Sequence, residues 1–225
     1  MEPVTVHWAA LDTVRPHHVA LLDAAERARR DRYVRPADRD RFTLGVTLTR
    51  LALARRLALP PERVPLTRAC PDCDAPHGPP RIAGGPFLSV SHSGDRVAVA
   101  ISGHGPVGVD VEEAAGRIGD DVAAHLLAPG ESATGEDALL AYWTRKEALL
   151  KATGEGLREP MTHLRVSAPD APPALLDWTG RPGLAARFTL RTLDPGPGHA
   201  ACLALLDHPA DVAVEERTFT PAARP

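Results

Sequence analysis

The sequence predicts an α+β protein built from two similar lobes related by an approximate twofold axis. Helical and strand patterns occur in both halves of the 225 residues, and a turn-forming stretch at 103–106 separates them. The halves also differ in charge, because residues 1–68 hold 13 arginines against 8 acids whereas residues 105–160 hold 5 basic groups against 11 acids. We therefore expect one lobe over residues 1–104 and a second over residues 105–225.

The elements of the first half follow from the spacing of apolar residues. Residues 4–9 have the pattern of a short strand, and residues 17–32, rich in Ala, Leu and Arg, that of a helix. A second helix is predicted at 39–59, where apolar residues recur at three- and four-residue steps until Pro60 and Pro61 end it. A Pro-rich loop at 70–80 then leads towards the middle of the chain.

The middle of the chain and the second half alternate between strand and helix patterns. Glycine-containing turns separate three strands predicted at 87–91, 97–101 and 107–111. Helices are predicted next, at 120–127 and 137–152, and further strands at 164–167, 186–192 and 201–206. Residues 208–225 show none of these patterns, and we expect a mobile tail there.

The composition is that of an ordinary soluble globular protein, with 44% hydrophobic and 24% charged residues. No apolar run approaches the roughly 20 residues that span a bilayer, and the start lacks the regions of a signal peptide. We expect a cytoplasmic protein with no membrane contact. A net charge of −3 disfavours nucleic acid, whereas a basic lobe beside an acidic one suits a phosphorylated small ligand and a metal.

Two carboxylates in the central region point the same way along one strand. Strand alternation places Gly108, Asp110 and Glu112 on one face and three valines on the other. Oxygen ligands at this spacing suit Mg²⁺, whose remaining positions are filled by water and phosphate oxygens. On the strand alone, an edge strand with a solvated polar face explains the pattern equally well.

The helix at 137–152 adds a third carboxylate. On a helical wheel Glu147 falls in the middle of an apolar stripe, so that it faces the protein, and Lys151 lies one turn beyond it, within reach of an i,i+4 contact. Because an unpaired buried carboxylate is costly, we predict a metal site of Asp110, Glu112 and Glu147 with Lys151 as a phosphate contact. A structural ion pair is the alternative.

His92 emerges at a predicted strand end between two serines, where an imidazole and hydroxyls can bind phosphate. A plain turn residue is the alternative. A serine-hydrolase triad is disfavoured, because Ser91 points to the opposite face of the strand from His92 and a Gly-x-Ser-x-Gly elbow is missing from the sequence.

Two motifs together carry a family resemblance. The chain resembles the 4′-phosphopantetheinyl transferases of the Sfp type in the strand Val109-Asp110-Val111-Glu112 and the helix Trp143-Thr144-Arg145-Lys146-Glu147-Ala148-Leu149-Leu150-Lys151. Ser91-His92 upstream and Gly154-Glu155-Gly156-Leu157 downstream extend the resemblance over most of the chain. It implies the two-lobed fold of that family.

The resemblance also implies an activity. Enzymes of this family transfer the phosphopantetheine arm of coenzyme A to a serine of an apo carrier protein and release adenosine 3′,5′-bisphosphate. Asp110, Glu112 and Glu147 would hold Mg²⁺ against the pyrophosphate, and Glu147, directly or through a water, would be the base for the serine hydroxyl. Lys151 would neutralise charge developing on the phosphates, and Ser91-His92 would contact the coenzyme.

The resemblance does not single out which basic residues would contact the phosphates of coenzyme A. Arg29 and Arg41 lie where the family places groups for the 3′-phosphate, but three further arginines of this region, Arg32, Arg35 and Arg39, offer alternatives. The family often has Gly-Lys-Pro before the first strand, whereas this chain has Gly78-Pro79-Pro80. Either Arg81 takes over that contact or the contact is lost.

Only two of the 26 basic side chains are lysines, Lys146 and Lys151, and both lie in the signature helix. A compact ammonium suits a crowded phosphate site better than a broad guanidinium. We therefore expect Lys151→Arg to impair transfer far more than Lys146→Arg.

Two smaller features stay open. Cys70, Cys73 and His77 have a spacing compatible with zinc, but zinc needs four ligands and a reduced surface loop is the favoured interpretation. Glu131 is either an acidic residue near the site or a carboxylate at a helix start.

Two other functions compete with transfer, namely a Mg²⁺-dependent phosphohydrolase acting on coenzyme A or a nucleotide, and a non-catalytic module that binds coenzyme A or a carrier. The carrier surface is expected at 117–127, and the expected context is polyketide, nonribosomal-peptide or other secondary metabolism. We expect a monomer, since both lobes lie in one chain.

Overall fold

The computed structural model of the chain describes residues 2–70, 73, 75–114 and 120–221. Its α-helices are α1 Ala24–Asp31, α2 Pro36–Leu57, α3 Asp120–Leu126 and α4 Glu136–Thr153. Its strands are β1 Val4–Ala10, β2 Phe87–Ser93, β3 Arg96–Ser102, β4 Val107–Glu113, β5 Leu164–Val166, β6 Leu175–Trp178, β7 Phe188–Thr192, β8 His199–Leu206 and β9 Val214–Thr218. The predicted α+β class is confirmed.

Four layers make up the body of the protein. One sheet has the strand order β2-β3-β1-β9, a second has the order β4-β8-β7, and β5 and β6 form a separate hairpin. The two larger sheets share an apolar core in which Val6 and Ala98 of the first meet Val109 and Leu203 of the second. Helix α2 covers the outer face of the first sheet, and α4 covers that of the second.

Strand β4 has the two faces that its alternation predicts. Val107, Val109 and Val111 are buried in the core between the sheets. Gly108 lies against α4, where a Cβ atom would stand 1.9 Å from the carbonyl oxygen of Ala148. Only glycine permits this approach, so this residue sets how closely α4 lies over the face that carries Asp110.

Serine hydroxyls join the edges of the two sheets. β4 pairs with β8 on one side, and on the other its backbone N–H groups at 109, 111 and 113 donate to hydroxyls of β2. The acceptors are Ser89 at 3.0 Å, Ser91 at 3.4 Å and Ser93 at 3.1 Å. Side-chain hydroxyls of β2 therefore satisfy the N–H groups on this edge of β4 in place of a backbone ladder.

The prediction of a mobile tail over 208–225 is wrong for its central part. β9 pairs in parallel with β1, and Val4↔Val214 and Trp8↔Thr218 lie in register. The Trp8 indole donates to Glu216 Oε2 at 2.7 Å, and the backbone N–H of Phe219 donates to the carbonyl of Trp8 at 2.7 Å. The strand forms because β1 would otherwise leave its outer edge unpaired.

The helix predicted at 17–32 is divided in two. A 3₁₀ turn over Pro16–Leu21 precedes α1, and Asp23 caps the start of α1. Its carboxylate accepts from the N–H of Glu26 at 2.8 Å, while the Glu26 carboxylate accepts from the N–H of Asp23 at 3.0 Å. This reciprocal cap outweighs the continuous helical pattern.

The other predicted elements agree with the structure within a few residues at their ends, and β6 is additional. The two larger sheets divide where the predicted seam at 103–106 lies, except that β9 returns to the first sheet. The lobe boundaries and the approximate twofold axis stay predictions. Across the part of the chain that the structure describes, every helix is too short or too polar to cross a bilayer.

Candidate active site

A cavity of about 600 Å³ opens where α1, α2, β2, β4 and α4 converge. The first two helices and the loop before β2 form one wall, and β4 with α4 forms the other. Eight of the nine predicted site residues line it. Four belong to the first wall, namely Arg29, Arg41, Ser91 and His92, and Glu147 and Lys151 lie on α4 in the second. Asp110 and Glu112 complete the second wall.

Lys151 is held against β4 by three oxygen acceptors. Its ammonium donates to Asp110 Oδ1 at 2.6 Å, to Ser91 Oγ at 2.9 Å and to the carbonyl of Val109 at 3.2 Å. Lys151 thus pairs with Asp110 and not, as its spacing on the helix predicts, with Glu147, because β4 brings Asp110 to the same face of the helix. About a quarter of the Lys151 side chain stays exposed, so that the ammonium faces the cavity as well.

Asp110 is buried and only partly satisfied. Its Oδ1 accepts from Lys151 and, at 2.8 Å, from the hydroxyl of Ser91. Its Oδ2 is buried without a hydrogen-bond partner among the described residues. A buried carboxylate oxygen in that state is costly, and it marks a position where a cation or a bound group would be stabilised.

Glu112 and Glu147 share the negative environment. Burial raises the pKa of Glu112 and the Asp110 charge raises it further, against a hydrogen bond of 2.7 Å from the Ser93 hydroxyl. Burial also raises the pKa of Glu147, followed by the charges of Asp110 and Glu112, with Lys151 acting in the opposite sense. One ammonium therefore leaves three neighbouring carboxylates incompletely compensated.

The chemistry of this donor set fits a magnesium ion, although among the described residues the oxygens of the three carboxylates do not all lie within 4.8 Å of one another, so a side chain must move for all three to bind one ion. The orphaned Oδ2 of Asp110 lies in the same cavity as the carboxylates of Glu112 and Glu147, and oxygen ligands are those that Mg²⁺ prefers.

The opposite wall carries the positive charge. The Arg29 guanidinium lies over the ring of Phe42 at 5.2 Å, and its Nη1 is buried without a partner among the described residues. Arg41 is tied down instead, since it donates to the carbonyl of Gly94 at 2.7 Å and to Asp38 at 2.6 Å. Arg29 therefore has a buried donor that a bound anion could satisfy.

Sequence reasoning missed Arg68. It lines the cavity beside Arg29, and its guanidinium lies 5.6 Å from the Phe42 ring on which Arg29 also stacks. Burial lowers the pKa of Arg68, while Glu26 acts against this. No local pattern marks this arginine, because its position depends on how the loop before β2 folds back.

Arg81 lies apart from the main cavity. It lines a neighbouring cavity of about 420 Å³ that shares Pro79, Pro80 and Lys151 with the first. Its backbone pairs with Thr67 in an isolated bridge. Of the described side chains that line the main cavity, three are arginines, at positions 29, 41 and 68, so the alternatives Arg32, Arg35 and Arg39 lie elsewhere.

Ser91 and His92 occupy opposite faces of β2, as alternation predicts. Ser91 is buried between Lys151 and Asp110, whereas the His92 ring is exposed towards the cavity. Desolvation lowers the pKa of His92, and the charges of Lys151 and Arg41 lower it further. The ring is thus neutral at physiological pH and can donate one hydrogen bond.

Glu131 is remote from the cavity. Its Oε2 accepts from Lys146 at 2.5 Å and from the N–H of Ala128 at 2.7 Å, and its Oε1 accepts from the N–H of Val166 at 2.7 Å. These contacts hold the loop before α4 to the middle of α4 and to β5, which is a structural role. The segment expected to bind a carrier, 117–127, lies partly outside the described residues.

Two comparisons with known proteins show what the chain is similar to. Residues 106–204, which include β4 and α4, match the family model described as the 4′-phosphopantetheinyl transferase superfamily. The chain is also 34% identical over 155 residues to a Synechocystis sp. protein named "Putative 4′-phosphopantetheinyl transferase". The aligned region covers 63% of this chain and 61% of that protein, so the chain spans about three fifths of the length of this relative. The resemblance to the 4′-phosphopantetheinyl transferase superfamily is confirmed over this region.

Proposed function

We propose that this chain, whose residues 106–204 carry the match to the 4′-phosphopantetheinyl transferase superfamily, is itself a 4′-phosphopantetheinyl transferase. It takes the 4′-phosphopantetheine arm from coenzyme A, attaches it to a serine of an apo acyl or peptidyl carrier protein, and releases adenosine 3′,5′-bisphosphate. The reaction is Mg²⁺-dependent. The region of similarity contains β4 and α4, and these supply the acidic wall of the cavity.

One observation carries the proposal. Three carboxylates and Lys151 face a group of arginines across a single cavity of about 600 Å³. Coenzyme A has a pyrophosphate and a separate 3′-phosphate, so it needs a metal-binding wall and a basic wall at a distance from each other. A nucleic-acid surface or a purely apolar pocket would not require this division of charge.

Asp110, Glu112 and Glu147 would hold the magnesium ion, which when bound neutralises charge on the pyrophosphate. Lys151 neutralises charge on the phosphate that faces the carrier, and its contacts with Asp110 and Ser91 hold its ammonium in place. Glu147, directly or through a water, accepts the proton of the carrier serine. Trp143 lines the cavity one helical turn before Glu147 and limits the entry of water.

The step balances in atoms and charge. The serine oxygen forms a bond to the phosphorus that carries the pantetheine arm, and the bond from that phosphorus to the bridging oxygen breaks. The leaving adenosine 3′,5′-bisphosphate keeps the electron pair of the broken bond, and the serine proton goes to the base.

The basic wall binds the adenosine end of coenzyme A. Arg29 offers the unpartnered Nη1 to the 3′-phosphate, and Arg68 and Arg41 add positive charge beside it. His92 donates a hydrogen bond to a phosphate from the edge of β2. Arg81, at the neighbouring cavity, contributes less.

The remaining expectations fit this function. We propose a monomer, because one chain supplies both walls of the cavity, and a cytoplasmic setting in which coenzyme A and carriers meet. Two lobes related by an approximate twofold axis and an Sfp-type affiliation are part of the same proposal, as are carriers of polyketide or nonribosomal-peptide synthesis.

The test is a mass assay with apo carrier proteins, coenzyme A and Mg²⁺. We expect each accepted carrier to gain the mass of one phosphopantetheine, and a carrier whose attachment serine is replaced by alanine to stay unmodified. Turnover of coenzyme A without a carrier would indicate the phosphohydrolase instead. Binding of coenzyme A that needs no Mg²⁺ and leads to no product would indicate the non-catalytic module.

A further inference from the structure

A cluster of soft ligands lies beside the cavity, outside the residues used above. Cys70, Cys73 and His77 each present one ligand atom, and these three atoms all lie within 4.8 Å of one another. The Sγ atom of Cys73 is 3.1 Å from Nε2 of His77. Cys70 is buried, whereas the other two side chains are exposed.

These separations suit a tetrahedral metal. Zn²⁺ binds sulfur at about 2.3 Å and imidazole nitrogen at about 2.0 Å, which places neighbouring ligand atoms about 3.5 Å apart. A small adjustment of the exposed Cys73 and His77 side chains reaches that geometry. Two thiols and one imidazole are also the ligand types that zinc prefers over magnesium or calcium.

Backbone hydrogen bonds among the described residues of this loop bring the three ligands together. The N–H groups of Cys70 and His77 both donate to the carbonyl of Ala75, at 2.9 and 2.8 Å, which brings the two ends of the cluster together. The N–H of Gly78 donates to the carbonyl of Arg68 at 2.8 Å. At Gly78 a Cβ atom would lie 2.5 Å from the carbonyl oxygen of Ala69, so only glycine allows this closure.

We propose that Cys70, Cys73 and His77 form a zinc site that fastens the loop forming one wall of the cavity. The two thiols lose their protons on binding, and the fourth position of the tetrahedron is left to a water. The same loop supplies Arg68, His77 and Gly78 to the cavity lining. Zinc would therefore fix the position of Arg68, which lies two residues before Cys70.

Metal content is the first measurement. The full chain, made without a polyhistidine tag, is reduced, saturated with zinc and then freed of unbound metal. Its zinc content is measured by inductively coupled plasma mass spectrometry. We expect about one zinc per chain. Cys73→Ser and His77→Gln should bind zinc at least about tenfold more weakly, since even outer-shell changes cost that much at zinc sites.

Cys202 provides a matched control. It lies in the core beneath α4, and burial raises its pKa to about 12, so that it is a protonated thiol that does not compete for metal. Cys202→Ala should keep the full zinc content. Because Cys73 is exposed, Cys73→Ser should melt at the same temperature as the metal-free parent chain, which excludes misfolding as the cause of its loss of zinc.

A spectrum identifies the ligands. Added Co²⁺ should give a thiolate-to-metal absorption band in the parent chain and in Cys202→Ala, and this band should disappear or weaken strongly in Cys73→Ser. Equal zinc content in the parent chain and in Cys73→Ser would overturn the site. Formation of a Cys70–Cys73 disulfide that is unaffected by zinc would also overturn it.

The link to the cavity rests on the proposed function and has its own measurement. Calorimetric titration with coenzyme A should show several-fold weaker binding after zinc is removed by a chelator, and Cys73→Ser should show no such dependence. If zinc binds and coenzyme A affinity does not change, the link to Arg68 is wrong. If zinc binds and coenzyme A does not bind at all, the proposed function fails while the metal site stands.

Discussion

The two lysines of α4 have contrasting surroundings. Lys146 is fully buried, and its ammonium donates to Glu131, to the carbonyl of Leu126 at 2.6 Å and to the carbonyl of Met161 at 3.2 Å. Lys151 is partly exposed at the cavity beside Asp110. One lysine therefore holds elements together, whereas the other serves the site.

Lys151→Arg should lower the rate of carrier modification about tenfold or more, which corresponds to about 1.4 kcal/mol of lost transition-state stabilisation. Three acceptors converge on one ammonium at 2.6 to 3.2 Å, and a planar guanidinium does not fit that space. The mass assay at low coenzyme A concentration measures the change. Near-normal turnover by the variant would contradict the role given to Lys151.

Lys146→Met should destabilise the protein by about 3–5 kcal/mol, because it leaves the buried Glu131 without its partner cation. Urea unfolding followed by far-ultraviolet circular dichroism measures the loss. The double variant Lys146→Met with Glu131→Gln should recover part of it, since the unpaired charge is then removed. An unchanged midpoint in the single variant would show that the pair adds nothing. When the transfer rates of Lys151→Arg and Lys146→Arg are compared, the rate of the second variant must therefore be corrected for the fraction of the protein that is folded.

Glu112→Gln should reduce transfer by at least about a hundredfold, because it removes a carboxylate from the wall that is proposed to bind Mg²⁺. Its neighbour Glu113 provides the control, since it follows on the same strand but does not line the cavity. Glu113→Gln should transfer at a rate close to the parent rate. The Mg²⁺ concentration for half-maximal rate should rise in the first variant only, and a similar loss in both would argue against a specific role.

The contact between α4 and β4 depends on a single glycine. α4 is buried on most of its circumference, and the side that faces the cavity carries Trp143, Glu147 and Lys151. At Gly108 the backbone of the helix passes so close that a Cβ atom would meet Ala148 and Ala152. The distance between Asp110 on the strand and Glu147 on the helix is therefore set by packing at a neighbouring residue.

Gly108→Ala should destabilise the protein by about 1–3 kcal/mol and lower transfer together with it, because α4 must move away from β4. Gly45→Ala in α2 is the control for stability. Its Cβ atom would lie 3.4 Å from Val90 Cγ1, and alanine favours the helix, so we expect no loss and up to about 1 kcal/mol of gain. The measurement compares the urea concentrations at which the two variants are half unfolded. Equal midpoints would show that the helix adapts.

The layers of the molecule are joined at several distant points of the chain. The first sheet combines β1 near the N-terminus, β2 and β3 from the middle, and β9 near the C-terminus. The two sheets meet through an apolar core and through the serine hydroxyls of β2. The cavity lies beside this serine junction, so its two walls are held by the same contacts that unite the sheets.

A chain ending at Pro209 should be clearly less stable than the parent chain and prone to aggregate. It lacks β9 and Val212, leaves the edge of β1 unpaired, and removes Glu216 from the Trp8 indole. Urea unfolding and light scattering measure both effects. The exposed pair of Glu215 and Arg217 provides the control, since replacing both by glutamine should change stability by less than about 0.5 kcal/mol. An unfolding midpoint equal to that of the parent chain would show that β9 does not stabilise the protein, as expected of a mobile tail.

Local patterns were sufficient for much of the secondary structure and for one wall of the site. Alternation along β4 placed Asp110 and Glu112 together, and helical spacing placed Glu147 and Lys151 on one face of α4. The capping pair Asp23 and Glu26 marks the start of α1 in the sequence, but the continuous helical pattern of 17–32 hides it. β9 was not readable, because a short, mostly exposed strand has no pattern of its own until β1 offers it an edge.

The sequence by itself determined which residues share a face of a strand or a helix, because side-chain periodicity is a local property of the backbone. It therefore determined the acidic wall and the position of Lys151. Only the tertiary structure decided which oxygen Lys151 pairs with, that Arg68 joins Arg29 at the cavity, and that Lys146 lies in the core. These outcomes depend on packing between segments far apart in the chain, which periodicity within one segment does not encode.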